Sequence, residues 1–236
     1  MSTRAVHPVA QGLLGWMQAN PERLRANLDE EAAHALASAG RLQSGRARGG
    51  PPSEPDDVGP AGDPALRAHL RFVAEALAAV AAPSGREALE AFAAGLPALL
   101  AEREPEVDEQ MRQVGEAHAF EVGLQFGGEA AEDPSVHAMV DRRVRMAAWT
   151  RVFLAGLDDA RAPAAPVAAA ALEWMAARQT QLADTIFAMD RRAKEREIAR
   201  GGPDAVASPE VVNRIGQAAM VQAHARFLVE ALAESL

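Results

Sequence analysis

The sequence contains no cysteine and no tyrosine, and aromatic side chains make up only 4% of its 236 residues. Without cysteine, the chain can form no disulfide, no thiolate metal site and no cysteine nucleophile. Lysine is nearly absent too, because Lys194 is the only one and the other basic residues are arginines. Together with the abundant Ala, Gly and Pro, this preference indicates a GC-rich genome more than a function.

Charge and hydropathy argue against two further classes of function. The formal net charge is −9, which opposes attraction to nucleic acid or to an anionic membrane surface. The most apolar stretches, 91–101 and 164–177, are shorter than a membrane span and contain Pro97 and Glu173. The first 20 residues lack the basic flank and apolar run of a secretory signal. We therefore expect a cytoplasmic protein with no nucleic-acid and no membrane partner.

The chain resembles itself along its length. Residues 68–78 match residues 223–233 at eight of eleven positions, and residues 8–24 are echoed at 166–182. A weaker copy lies between them, in which Trp149 takes the place of His69 and His224. Self-similarity at a nearly fixed period is typical of repeat architectures.

We predict an all-α fold, because Ala, Leu, Arg and Glu dominate and the alternation typical of strands is nearly absent. A helical hairpin cannot cover its own apolar face, so the copies should pack together in one domain. They would form a helical bundle or a short solenoid. The prediction is three degenerate tandem two-helix repeats, at about 8–80, 83–160 and 166–236.

Proline and glycine mark the expected helix boundaries. Asp63-Pro64, Asp133-Pro134 and Ser208-Pro209 each combine an N-cap residue with a proline suited to the first helical turn. Pro97 and Pro105 should split the first helix of the middle copy into pieces at 84–103 and 106–126. Residues 40–63 are rich in Gly and Pro and poor in apolar side chains, so we expect a mobile loop there.

Equivalent tryptophans suggest where a ligand could bind. Trp16 and Trp174 lie beside Met17 and Met175, and Arg178 follows one turn after the second tryptophan. Core packing would explain these residues. Alternatively they line an apolar pocket for a small ligand, with Arg178 as an anion contact.

The repeated histidines allow two interpretations. His69 lies in the middle of an apolar stripe, so both His69 and the equivalent His224 should point inward. They could be hydrogen-bonded core residues, which the tryptophan in the middle copy favours. They could instead reach a shared cavity. The candidate ligand-binding residues are thus Trp16, Trp174, Met17, Met175, His69, His224 and Arg178.

Charged residues offer weaker signals. Arg71 with Glu75, and Arg226 with Glu230, are four apart and should form surface ion pairs that stabilise by about 0.2–0.5 kcal/mol each. Glu31-Ala-Ala-His34 has the spacing of helical di-iron sites but lacks a second such motif. We interpret the basic runs at 142–145 and 191–200 as solvated surface.

No motif assembles a reaction centre, so we expect no catalytic residues, no metal and no cofactor. The leading hypothesis is a non-catalytic helical-repeat protein that binds a protein partner. The second is a bundle that sequesters or senses a small apolar molecule in a pocket lined by Trp and Met. The third is a metal-dependent, di-iron-like oxidase. The oligomeric state is left open.

Overall fold

A computed structural model describes residues 8–46, 64–126, 134–160 and 167–235, and this part of the chain is almost entirely helical. It forms eight α-helices and no strand, which confirms the all-α prediction. No helix within these ranges is long and apolar enough to cross a bilayer. The elements are α1 (Pro8–Ala19), α2 (Pro21–Arg46), α3 (Pro64–Val80), α4 (Pro83–Phe126), α5 (Pro134–Ala160), α6 (Val167–Ala176), α7 (Gln179–Gly201), a 3-10 turn (Pro203–Val206) and α8 (Pro209–Ser235).

Most of these helices begin at a proline. The three predicted starts are confirmed, since α3, α5 and α8 begin at Pro64, Pro134 and Pro209. Proline suits the first turn because its backbone angle φ is already helical, and because the N–H it lacks would have no partner there.

The prediction that prolines divide the middle copy was wrong. One helix, α4, runs through both Pro97 and Pro105. An internal proline removes a single backbone hydrogen bond and crowds the preceding turn, which costs roughly 3 kcal/mol. Leu96, Leu100 and Val107 are buried in the core along the same stretch. Their packing offsets the local cost, so the helix continues.

The two outer copies contain a helix break that the two-helix description missed. Residue Asn20 separates α1 from α2, and Ala177 and Arg178 separate α6 from α7. At each break a side chain bonds to the end of the preceding helix. Asn20 donates to the carbonyl of Trp16 at 2.7 Å, and Arg178 donates to that of Trp174 at 3.3 Å. Equivalent sequence positions therefore end α1 and α6, while the threefold repeat itself stays a prediction.

The loop predicted at 40–63 begins later than composition indicated. Helix α2 continues to Arg46, since Arg41, Leu42 and Gln43 are good helix formers that extend it. The remainder of that segment, residues 47–63, lies outside the described residues, so its predicted mobility stays a prediction.

Helices α3 and α8 form the centre of the fold. α3 packs against α1, α2, α4, α5 and α8, and α8 packs against α1, α3, α6 and α7. From Leu66 to Ala78, every residue of α3 except Glu75 is buried, and from Ala219 to Ala233 every residue of α8 is buried except Gln222, Arg226 and Glu230. Three aromatic pairs pack at ring-centroid distances of 4.9–5.5 Å: Trp16 with Phe72, Trp174 with Phe227, and Phe92 with Phe153.

Burial of α3 takes two arginines out of water. Arg67 Nε lies 3.0 Å from Oε2 of Glu31, and Arg71 Nη1 lies 3.0 Å from Oε1 of the same carboxylate. Arg71 also bonds Glu30 at 2.6 Å, and this hydrogen bond lowers the pKa of Glu30. Buried charges persist only when they are paired and hydrogen-bonded. Glu31 on α2 therefore compensates both buried guanidinium groups on α3.

One of the two predicted surface ion pairs is present. Arg226 Nε lies 3.1 Å from Glu230 Oε1, which confirms the pair on α8. The pair between Arg71 and Glu75 was wrong, because α2 covers that side of α3. There Glu75 instead accepts two hydrogen bonds from Arg23, each at 2.9 Å.

Adjacent glutamates on α2 provide a matched test of this charge network. The side chain of Glu31 is 8% exposed and that of Glu30 is 62% exposed. Glu31→Gln leaves two buried guanidinium groups without their shared counter-charge, so we expect the free energy of unfolding to fall by about 3 kcal/mol. For Glu30→Gln we expect at most about 1 kcal/mol. Urea unfolding of both variants measures the difference, and equal losses would contradict the central role of Glu31.

Candidate functional site

A cleft of about 410 Å³ lies between α5, α6, α7 and α8. The break between α6 and α7 turns the chain, so that Met175 before it and Leu182 after it line the same space. Small side chains at Ala147 and Ala176 leave room between the helices. The large apolar side chains of the lining are Met146, Leu172, Met175, Leu182, Ile186 and Met220.

Two buried polar side chains, Thr150 on α5 and His224 on α8, meet in the lining of the cleft. The Thr150 hydroxyl oxygen lies 2.7 Å from the Met146 carbonyl oxygen and 2.7 Å from Nε2 of His224. A carbonyl can only accept, so the single hydroxyl proton is donated to Met146. The Nε2–H of His224 must then donate to Thr150, which fixes the proton on that ring nitrogen.

Burial determines the charge of this histidine. Desolvation lowers the pKa of His224 from 6.5 to about 4, because the apolar surroundings disfavour the imidazolium form. At neutral pH the ring is uncharged. The cleft interior therefore offers polarity without charge.

The positive charge of the cleft lies with two exposed arginines on α5. Arg143 and Arg151 both line the cleft and are about two helical turns apart. Neither forms an ion pair with any residue that the structure describes. By contrast Arg145, on the same helix, pairs with Asp108 at 3.1 Å. Glu173 on α6 contributes the one carboxylate among the described residues of the lining.

The structure places the predicted ligand-binding residues in different surroundings. Met175 and His224 line the cleft. The other five side chains lie outside its lining: Trp16, Met17, His69, Trp174 and Arg178.

Those five residues have contacts of their own. Trp16 and Trp174 pack against phenylalanines of the central helices, and Met17 packs against the core. The Nδ1–H of His69 donates to the carbonyl of Ala65 at 2.7 Å, as the core interpretation expects. The guanidinium of Arg178 lies 4.3 Å from the centroid of the Trp174 ring.

The residues that sequence reasoning missed come from α5. Thr150 directly follows Trp149, which occupies the position equivalent to His224, but no periodicity indicates that α5 and α8 meet there. For Arg151 the sequence did contain an indication that it lacks the expected ion-pair partner. Its equivalents Arg71 and Arg226 are each followed four residues later by a glutamate, whereas Arg151 is followed by Ala155.

Both residues of the Glu31-x-x-His34 motif interact with arginines of α3. Both carboxylate oxygens of Glu31 face arginines, and Nη2 of Arg67 lies 3.3 Å from Nδ1 of His34. Within the described ranges, no three or more His, Asp or Glu residues are grouped so that they could hold a metal ion. The motif thus contributes to packing between α2 and α3.

No protein-family model matches the chain, and comparisons with curated proteins and with solved structures found no match either. Function therefore has to be inferred from the geometry and chemistry of the cleft.

The depressed pKa of His224 predicts how stability depends on pH. Between pH 6.5 and about 4, the unfolded state binds a proton at this histidine and the folded state does not. The contribution of this histidine to the free energy of unfolding therefore does not change with pH above pH 6.5. It decreases as the pH falls from 6.5 to about 4, and the total loss is roughly 3 kcal/mol.

A comparison with His224→Gln isolates that contribution, since glutamine does not titrate. From pH 6.5 down to 4, wild-type stability should fall more steeply than that of the variant, by up to about 1.4 kcal/mol per pH unit. Urea unfolding across this range measures both slopes. Parallel slopes would mean that His224 is not buried in its neutral form.

Proposed function

We propose that the protein binds a small, largely apolar molecule in the cleft between α5, α6, α7 and α8. The observation that carries this proposal is a space of about 410 Å³ lined mainly by Met, Leu, Ile and Ala, with one buried hydrogen-bonded pair of polar side chains. Ligand pockets in proteins have volumes of about 300–1,000 Å³ and combine apolar walls with few polar groups. The cleft fits this description in both size and chemistry.

Three methionines support the same proposal. Met146, Met175 and Met220 approach the cleft from α5, α6 and α8. A methionine side chain is unbranched and polarizable, so it adapts to irregular apolar shapes. Burial of apolar ligand surface contributes about 25 cal/mol per Å². Such walls favour ligands by shape and hydrophobicity more than by directed hydrogen bonds.

The polar pair in the cleft favours binding over catalysis. A nucleophilic hydroxyl needs a neighbouring base that accepts its proton. Here the Thr150 proton is donated to the Met146 carbonyl, and His224 donates to Thr150 rather than accepting from it. The histidine orients the threonine without activating it. We therefore infer a binding protein without a reaction of its own at this site.

The interaction-scaffold hypothesis has weaker support. Phe187 on α7 is 73% exposed and Leu36 on α2 is 75% exposed. Among the described residues these two helices share no extensive contact, and singly exposed apolar side chains are common on protein surfaces. The geometry favours the ligand-binding hypothesis over a protein-binding scaffold.

Titration with the neutral fluorescent probe N-phenyl-1-naphthylamine tests this proposal. The probe brightens in apolar surroundings, so we expect saturable binding to the wild-type protein. Ala176→Phe places a ring in the cleft and should weaken probe binding at least tenfold. Ala170→Phe is the matched control, since Ala170 is also exposed on α6 but does not line the cleft.

Circular dichroism should show that both variants remain helical. Equal probe affinity in the two variants would place the binding elsewhere. Absence of saturable binding to the wild type would remove the main support for an apolar ligand.

A further inference from the structure

We propose that the ligand of the cleft is a single-chain amphipathic anion, whose carboxylate binds Arg143 and Arg151 while its apolar part fills the space between the helices. This inference rests on the proposed ligand-binding function and specifies its ligand class. It is carried by the placement of two arginines without ion-pair partners, among the residues described, beside an apolar cleft.

Arg151 differs from its two sequence equivalents. Arg71 and Arg226, the sequence equivalents of Arg151, pair with Glu30 and Glu31 and with Glu230 respectively. Arg151 has no such counter-charge within the described ranges. Other described arginines, such as Arg142 and Arg192, also form no ion pair with a described residue, so the distinguishing feature of Arg143 and Arg151 is their position in the lining of an apolar cleft.

The charges of the lining indicate that the anionic head group of the ligand binds beside Arg143 and Arg151. The charged side chains of the described lining are two arginines and the single carboxylate of Glu173, which leaves an excess of positive charge. Guanidinium groups bind carboxylates through short, charge-assisted hydrogen bonds that are about twice as strong as neutral ones. A ligand carboxylate would provide the counter-charge that glutamates provide for Arg71 and Arg226, the sequence equivalents of Arg151.

The rest of the lining indicates the chemistry and size of the remainder of the ligand. His224 is neutral at physiological pH, and its Nε2–H is already donated to Thr150, so neither residue supplies a charge for a second anionic group. The volume of about 410 Å³ lies near the lower end of ligand pockets. A single alkyl chain or small ring system suits this space better than a two-chain lipid.

Displacement of N-phenyl-1-naphthylamine by decanoate and by decanol tests the anion requirement, because these two molecules share a chain and differ in charge. Below the micelle concentration, we expect decanoate to displace the probe at a concentration about tenfold lower than decanol. The preference should shrink at high salt, since the arginines are exposed to screening. Equal displacement by the two competitors would overturn the inference and leave the proposed function intact.

A double variant tests the assigned residues. Arg143→Gln with Arg151→Gln should abolish the preference for decanoate, with each competitor measured against the probe affinity of the same variant. Arg196→Gln with Arg200→Gln removes the same charge from α7 outside the cleft lining and should retain the preference. If both double variants lose the preference equally, the effect comes from net charge and the assignment to the cleft arginines is wrong.

Calorimetric titration with decanoate decides the remaining case, in which the neutral probe does not bind. Decanoate binding that is lost in the Arg143 and Arg151 double variant would support the anion site even though the neutral probe fails. Absence of decanoate binding to the wild-type protein would overturn the inference together with the proposed function.

Discussion

The deep burial of two neighbouring helices, α3 along most of its length and α8 in its C-terminal half, is the constraint on which the rest of the structure depends. Helices α3 and α8 contact most of the other helices, so every polar side chain on their inner faces needs a partner. On α3 the partners come from α2, where Glu31 compensates Arg67 and Arg71. On α8 the partner comes from α5, where Thr150 accepts from His224.

The candidate site follows from the way in which α8 is covered. Helices α6 and α7 pack along it but break at residues 177 and 178, and the space left between them and α5 is the cleft. Methionines form part of its apolar lining, and Thr150 and His224 form an uncharged, hydrogen-bonded polar pair inside it. Helix α5 contributes Arg143 and Arg151 to the lining, and Arg151 lacks the glutamate four residues later that follows Arg71 and Arg226 in the sequence. One packing arrangement thus produces both an apolar space and a positively charged part of its lining.

The sequence predicts which residues face inward better than it predicts which helices meet. Helical periodicity placed His69 and His224 in the interior, and proline positions located the starts of α3, α5 and α8. The prediction of an ion pair between Arg71 and Glu75 was wrong because the i,i+4 rule assumes a solvent-exposed face, and α2 covers that face. The predicted helix ends at Pro97 and Pro105 were wrong because tertiary packing outweighs the local cost of a proline inside a helix. The cleft was not predictable, since it depends on contacts between α5 and α8 that no local pattern encodes.

Methyl NMR of the methionines tests the proposed binding site most directly. With the methyl carbons of all eight methionines labelled, addition of N-phenyl-1-naphthylamine should produce ring-current shifts. We expect saturable shifts in the three methyl groups of the cleft lining, those of Met146, Met175 and Met220. Methionines packed elsewhere against the core should not shift, namely Met17, Met111 and Met189. Shifts confined to that second group, or no saturable shift at all, would contradict a ligand site in this cleft.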